Sequence, residues 1–488
     1  VLEDRDLKSV QMARNLIKKA KKAQKKLVKY TQKEINDLVF ELAEAARQNA
    51  QSLAEIAVDD TGMGIVEDKV SKNLLASAEL WEYIKDMKTV GIISEDKEKM
   101  ITEVASPMGV ITALVPSTNP TSTVIYKALI SLKSANSIVF SPHPAARECI
   151  KKTVEVLNNR LEELGAPEGL IGCLYIVSLE GTQELMAHQD VSLILATGGS
   201  AMVSAAYSSG TPALGVGPGN VPVFIERSAD LPKAVKRIMQ SKTFDNGTIC
   251  ASEQSVVVES CIKEEVVELF KKENAYFLDE EETKKVENVI QKADGSLNAA
   301  IVGQSALKIA AMAGLEVPAD CRVLISETGG VGRDYPFSRE KLSPLLGFYT
   351  VENWEEGCDQ CIEILNYGGL GHSLGIHSNN EDIIKAFALE KPTSRILVNT
   401  PTALGATGGT TNLAPSMTLG CGAKGGNATS DNISPLNLID RKRIAYGVKD
   451  LETHSGGKNN DSQVKNESDD NQEIEIIIDK VLEKLNQK

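Results

Sequence analysis

The sequence contains no run approaching the roughly 18 apolar residues that a membrane span needs, and no signal-peptide pattern opens it. A cytoplasmic chain is expected on those two grounds, and its start on Val1 rather than Met leads us to expect that a few N-terminal residues are missing. It lacks any excess of positive charge: 53 Lys and Arg face 67 Asp and Glu, a net charge of −14. A nucleic-acid groove would need a strong basic patch against that field, and none is present. The basic run at 18–29 (KKAKKAQKKLVK) spaces its lysines among Ala, Leu and Val as a solvated helix face does. Cysteine framework spacing is also missing. The 8 cysteines are scattered, which points to a reducing compartment and mostly buried thiols. The lone CxxC, Cys358 to Cys361, has no second CxxC and no nearby histidines, so it reads as structural rather than metal-binding.

What is present is ordinary globular material, 42% hydrophobic and 25% charged over 488 residues, enough for roughly three domains. That excludes a disordered chain or a disulfide-stapled miniprotein. Residues 7–57 carry helical periodicity (Val10, Ala13, Leu16, Ile17, then Ile35, Leu38, Val39, Leu42, Ala43, Ala46), broken by Asp60-Thr-Gly-Met-Gly64 before another helix through about Tyr83. From Val104 short apolar runs alternate with helical stretches. Strands are expected at 109–115, 137–140, 172–177 and 191–196, with helices at 121–133 and 145–164. After Pro222 the alternation restarts: strands at 222–226 and 254–258, helices at 230–241 and 261–273, and further units at 299–301, 322–326, 362–366 and 373–377. This is the texture of an α/β fold with parallel, doubly wound sheets. A Gly, Thr and Ala-rich return spans 400–428, and 430–447 looks like an extended arm.

Three segments carry chemistry. Phe244-Asp-Asn-Gly-Thr-Ile-Cys250 places a cysteine in a Gly-containing loop between a helix and a strand. Val115-Pro-Ser-Thr-Asn119 ends a strand with an Asn in a Pro-bounded turn, placed to donate its side-chain amide. Thr197-Gly-Gly-Ser200 ends a strand and opens a helix, where a dinucleotide can approach backbone.

With ALGVGPGNVP at 213–222, EKLSP at 340–344 and GHS at 371–373, these motifs resemble the aldehyde dehydrogenase superfamily, and specifically its CoA-acylating branch, over about 5–447. The resemblance implies a Rossmann-like cofactor domain (1–220), an α/β catalytic domain (221–410), and a return (411–451) that joins 85–106 in a β-rich oligomerisation arm of a dimer or tetramer. It makes Cys250 the nucleophile. Asn119 and the Cys250 backbone N–H become the oxyanion donors, a chemistry that fits thiolate attack on an aldehyde. Glu340 matches the residue holding the nicotinamide ribose, and Pro116, Ser117, Ser141, Thr197, Gly198, Gly199, Ser200 and Gly215 fall in the cofactor region.

Ser141 stands where many relatives keep a Lys, and Val203 replaces the second Gly of the usual turn; NAD is expected, with NADP possible. Gly215 stands where hydrolytic members keep a Glu that activates water. Glycine cannot do so, and transfer of the acyl group to coenzyme A follows, since a thiolate needs less help. Glu253 is the nearest substitute base to exclude. His372 matches a histidine of the acylating branch, either assisting the Cys250 or CoA thiol or merely packed beside the pocket.

Residues 452–472 are polar and linker-like. Beyond them Ile474, Ile477, Ile478, Val481, Leu482 and Leu485 form one apolar stripe on a short helix (473–488), marginal alone and in need of a partner surface. That resembles the encapsulation peptides of bacterial microcompartment cargo, which implies docking to shell or core cargo and favours propionaldehyde, then acetaldehyde, as the short-chain substrate. Two other readings stand beside this one: a hydrolytic aldehyde dehydrogenase releasing free acid, and a non-catalytic assembly protein.

Overall fold

The computed structural model describes residues 3–449, and the linker and amphipathic helix expected at 452–488 lie outside the described residues. The N-terminal periodicity resolves into three helices. Arg5–Leu27 is capped by Asp4, Gln32–Gln48 opens on a Thr31/Glu34 capping box, and Ala50–Thr61 ends at Gly62. The lysines of 18–29 fall mainly on the exposed face of the first helix, while Ala20, Ala23 and Leu27 are buried. Val66–Leu74 follows, then a single π-helical turn, Leu75–Glu79, and Leu80–Ile84.

The first sheet is five parallel strands in the order Ile171–Cys173, Ser137–Pro142, Val110–Val115, Val191–Thr197, Ala213–Val216. Every residue of Val110–Val115 is buried because helices cover both faces of the sheet. The order of strand addition reverses between Val110–Val115 and the parallel Val191–Thr197, which makes the C-terminal ends of these two strands a topological switch point. The second sheet is seven parallel strands in the order Ala275–Phe277, Val323–Glu327, Leu345–Val351, Glu253–Glu259, Val221–Ile225, Gly371–His377, Thr393–Val398. A third sheet joins Gly91–Asp96, Ile101–Pro107 and Ile439–Ala445, with Glu103 paired to Arg441 and Arg443.

Three local expectations change. The strand expected at 172–177 is confined to Ile171–Cys173. Residues 299–301, expected as one of the further α/β units, form a single 3₁₀ turn. The apolar run at 362–366 belongs to the helix Trp354–Tyr367, whose Cys358, Cys361, Ile364 and Leu365 make one buried stripe; a short apolar run does not by itself distinguish strand from helix. That stripe also accounts for the CxxC, with both thiols packed inward. Of the eight cysteines six are buried, Cys250 is half-buried and Cys261 is exposed. Among the described residues no helix is long and apolar enough to cross a membrane.

Candidate active site

The cysteine loop begins where the helix Leu231–Thr243 stops. Asp245, Asn246 and Gly247 then take left-handed conformations (φ 49°, 52° and 73°), turning the chain so that Cys250 reaches the N-terminal end of the strand Glu253–Glu259. Two consecutive non-glycine residues in that region carry strain, which persists only where surroundings hold it. Here the Asp245 carboxylate accepts the Ile65 N–H at 2.7 Å and the Lys69 ammonium at 3.0 Å. Gly64 makes room for this, since a Cβ there would sit 1.9 Å from Asp245 Oδ1.

His372, fully buried at the start of Gly371–His377, places Nε2 3.1 Å from Cys250 Sγ, with Nδ1 3.0 Å from Ser373 Oγ. Burial pushes the Cys250 thiol up to about 12, with Glu340 adding to the rise and Arg395 opposing it. Burial also pushes His372 down to about 3, reinforced by Arg395. Both shifts favour the uncharged forms, and which partner donates across the 3.1 Å contact depends on the imidazole tautomer. Arg395 is buried on its strand and donates to the carbonyls of Gly420 (2.8 Å) and His372 (3.3 Å).

Gly219 passes close to both members of the pair. A Cβ on it would lie 2.2 Å from the Cys250 carbonyl oxygen and 3.1 Å from the His372 ring, so only glycine fits. Its N–H donates to Glu340 Oε1 at 2.8 Å. Asn119 stands at the N-cap position of the helix Pro120–Lys133 without a capping hydrogen bond; its Oδ1 accepts from Lys72 Nζ at 2.6 Å and its Nδ2 donates to Thr248 O at 3.2 Å.

A cavity of about 620 Å³ joins these groups to the switch point of the first sheet. Cys250, Asn119, Glu340, Pro116, Ser117, Ser141, Thr197, Gly198 and Gly199 all line it, whereas His372 stands behind Cys250. Two expected residues do not reach it. Ser200 starts the helix Ser200–Tyr207 and is exposed. Gly215 turns the other way, since alternate positions along a strand face opposite sides. A Cβ on Gly215 would meet Tyr207 and Val203, each at 2.8 Å, and it is Val216, Gly217 and Pro218 that line the cavity. The absence of a carboxylate still holds, because 213–220 contains none.

Glu340 is the one carboxylate among the described lining residues. Glu253 is buried in its strand, and its Oε1 accepts the Thr402 N–H at 3.0 Å. Burial holds its carboxyl above the ordinary range. Lys69, Lys72, Asp245 and Arg395 were not singled out from the sequence. Asp245 lies inside the cysteine motif Phe244–Cys250, whereas the lysines sit in a helix whose charges look solvent-facing.

Residues 5–294, more than half of the chain, match the aldehyde dehydrogenase family. The chain belongs to that family. It is 45% identical over 445 residues to the bifunctional aldehyde-alcohol dehydrogenase AdhE of Escherichia coli (strain K12), covering 90% of this chain and 50% of that protein. The chain thus spans about half the length of the first curated relatives it matches. With the succinate-semialdehyde dehydrogenase (acetylating) of Clostridium kluyveri it shares 40% identity over 443 residues, 91% of this chain and 97% of that one. Among solved structures, an acetylating aldehyde dehydrogenase from Geobacillus thermoglucosidasius superposes with a TM-score of 0.91 at 52% identity, covering 92% and 99% of the two chains. A propionaldehyde dehydrogenase from the Clostridium phytofermentans fucose utilisation bacterial microcompartment gives a TM-score of 0.81 at 28% identity, covering 89% and 97%.

Proposed function

We propose that this chain is a CoA-acylating aldehyde dehydrogenase, in which Cys250 takes up a short-chain aldehyde and coenzyme A removes the acyl group. His372 Nε2, 3.1 Å from Sγ, accepts the thiol proton as the sulfur attacks the carbonyl carbon. The Asn119 amide and the Cys250 backbone N–H donate to the oxyanion that develops. The nicotinamide cofactor, when bound, supplies the hydride acceptor. Its expected holders are Pro116, Ser117, Ser141, Thr197, Gly198 and Gly199 along the switch point, with Glu340 for the ribose.

The residues present fit such a group: glycine backbone at the opening of a helix, and a cavity of sufficient size. No Lys or Arg is among the described lining residues, so the 2′-phosphate of NADP would lack a cation, and this favours NAD.

The observation that carries the acylating reading is the cavity's single carboxylate, Glu340, tied to the Gly219 N–H, while Glu253 is bonded to Thr402. Glu253 lies outside the cavity lining, and with Glu340 assigned to the ribose no further lining carboxylate is left to activate water on a Cys250 thioester. The acetylating aldehyde dehydrogenase at 52% identity weighs toward acetaldehyde, the relative at 40% toward succinate semialdehyde, and the tail at 473–488 toward propionaldehyde. On balance we place acetaldehyde first.

The sheet containing Gly91–Asp96 and Ile101–Pro107, with its exposed edge strand Ile439–Ala445, is the surface we assign to a second copy of the chain. The tail is assigned to docking within a microcompartment. Two- to four-carbon aldehydes offered with CoA and each cofactor should yield acyl-CoA with Cys250 intact and nothing with Cys250→Ala. A chain shortened by 453–488 should keep its activity but lose co-purification with shell proteins. Acyl-CoA from Cys250→Ala would overturn the chemistry, and lost activity in the shortened chain would overturn the detachable tail.

A further inference from the structure

The helix Val66–Leu74 buries Lys69, Lys72 and Asn73, polar groups that a surface helix ordinarily turns to water. Two buried ammonium groups are costly unless paired, and they are paired beneath the cysteine loop. Lys72 Nζ contacts Asp245 Oδ2, donates to Thr248 Oγ1 at 2.9 Å and to Asn119 Oδ1 at 2.6 Å. An ammonium has three hydrogens, so Lys72 is saturated. Lys69 Nζ donates to the same Asp245 oxygen at 3.0 Å and to Thr118 O at 3.1 Å. The Asp245 N–H donates to Asp68 Oδ2 at 2.7 Å. Burial works against the Asp245 carboxylate, yet Lys72 and Lys69 hold it below its ordinary range.

The position of Asn119 in this cluster matters because a side-chain amide has two orientations, and they present opposite chemistry. One turns N–H donors toward a reacting carbonyl; the other turns the amide oxygen, which would repel a developing oxyanion. We infer that Lys72 is a positioning residue for the reaction: its hydrogen bond to Asn119 Oδ1 fixes the amide with Nδ2 on the donor side, and its bonds to Asp245 and Thr248 tie that amide to the loop carrying Cys250. One Asn119 N–H is anchored on Thr248 O; the other rests on the Thr118 hydroxyl at 3.2 Å, a neutral acceptor that an alkoxide can displace. Lys72 also draws charge from the amide oxygen, which strengthens the opposite N–H as a donor. This rests on the reading of Asn119 as an oxyanion donor.

The test compares Lys72→Met, Asn119→Ala and the double variant in the full-length chain, with Lys72→Gln as a milder second variant should the methionine chain fail to fold. Two rates are read for each: aldehyde-dependent NADH formation at saturating CoA, and alkylation of Cys250 by iodoacetamide, a displacement in which no oxyanion forms. Lys72→Met should lower kcat about 100-fold, as loss of one oxyanion donor does, and Lys72→Gln about tenfold. The aldehyde KM and the alkylation rate should each stay within about threefold. In the Asn119→Ala background Lys72→Met should add nothing.

Full kcat in the Lys72 variants alongside a crippled Asn119→Ala overturns the role of Lys72 alone. So does a fall in alkylation matching the fall in kcat, since that marks mere support of the loop. Full kcat in Asn119→Ala removes the oxyanion assignment itself and the Lys72 role with it.

Discussion

His372 Nε2 lies 3.1 Å from Cys250 Sγ, and burial keeps both groups uncharged at rest, the imidazole down at about 3 and the thiol up at about 12. The sulfur is therefore activated as it reacts, not stored as a thiolate. Iodoacetamide labelling of Cys250 in the free enzyme should climb about tenfold per pH unit between pH 7 and 10, following the small thiolate fraction. A plateau with an apparent pKa of about 6.5 would instead reveal a thiolate–imidazolium pair. His372→Ala should keep the slope while lowering kcat about 100- to 10,000-fold.

Glu340 faces the cavity with its carboxyl pushed up to about 7 by burial, against the opposing pull of the Gly219 N–H and Lys242. An acid raised in this way is neutral below about pH 7 and ionised above it, and only the carboxylate is a full-strength acceptor for ribose hydroxyls. NAD should therefore bind several-fold more tightly at pH 8 than at pH 6 by fluorescence titration, and Glu340→Gln should flatten the profile. An equally steep profile in Glu340→Gln would assign the titration to another group.

Gly215→Glu restores the residue type of a hydrolytic family member at the position the motif resemblance suggests. A Cβ there would meet Tyr207 and Val203 at 2.8 Å, on the face turned away from the cavity. The variant should lose about 1–3 kcal/mol of stability from overpacking, seen as a lower Tm, and should produce no free acid without CoA. Acid formation at an undiminished Tm would show that residue 215 reaches the thioester after all.

Asn119 and the Thr197-Gly-Gly turn lie in short motifs at the C-terminal ends of adjacent strands of one doubly wound sheet, where such ends converge, and Cys250 lies in a motif of the loop that precedes Glu253–Glu259, so their meeting at one cavity was legible from motif and strand order. The facing of Gly215 was not, because a strand exposes alternate residues and a shift of one position exchanges cavity for helix contact. Ser200 follows the turn by a single residue but already belongs to an exposed helical surface. Lys69 and Lys72 were hidden for another reason. Beside Glu67 and Asp68 they have the pattern of a solvated face, and what buries them is a loop more than 170 residues further on, with |i−j| of 173 between Lys72 and Asp245. Pattern within a helix carries no information about such a cover.

The fate of the acyl group in the absence of CoA tests the account most directly. Enzyme mixed with acetaldehyde and NAD alone should give a burst of about one NADH per Cys250 and then stall, with the acyl group recoverable on that cysteine by mass spectrometry. Adding CoA should restart turnover, one acyl-CoA per NADH. Sustained NADH formation with free acetate and no CoA would contradict it.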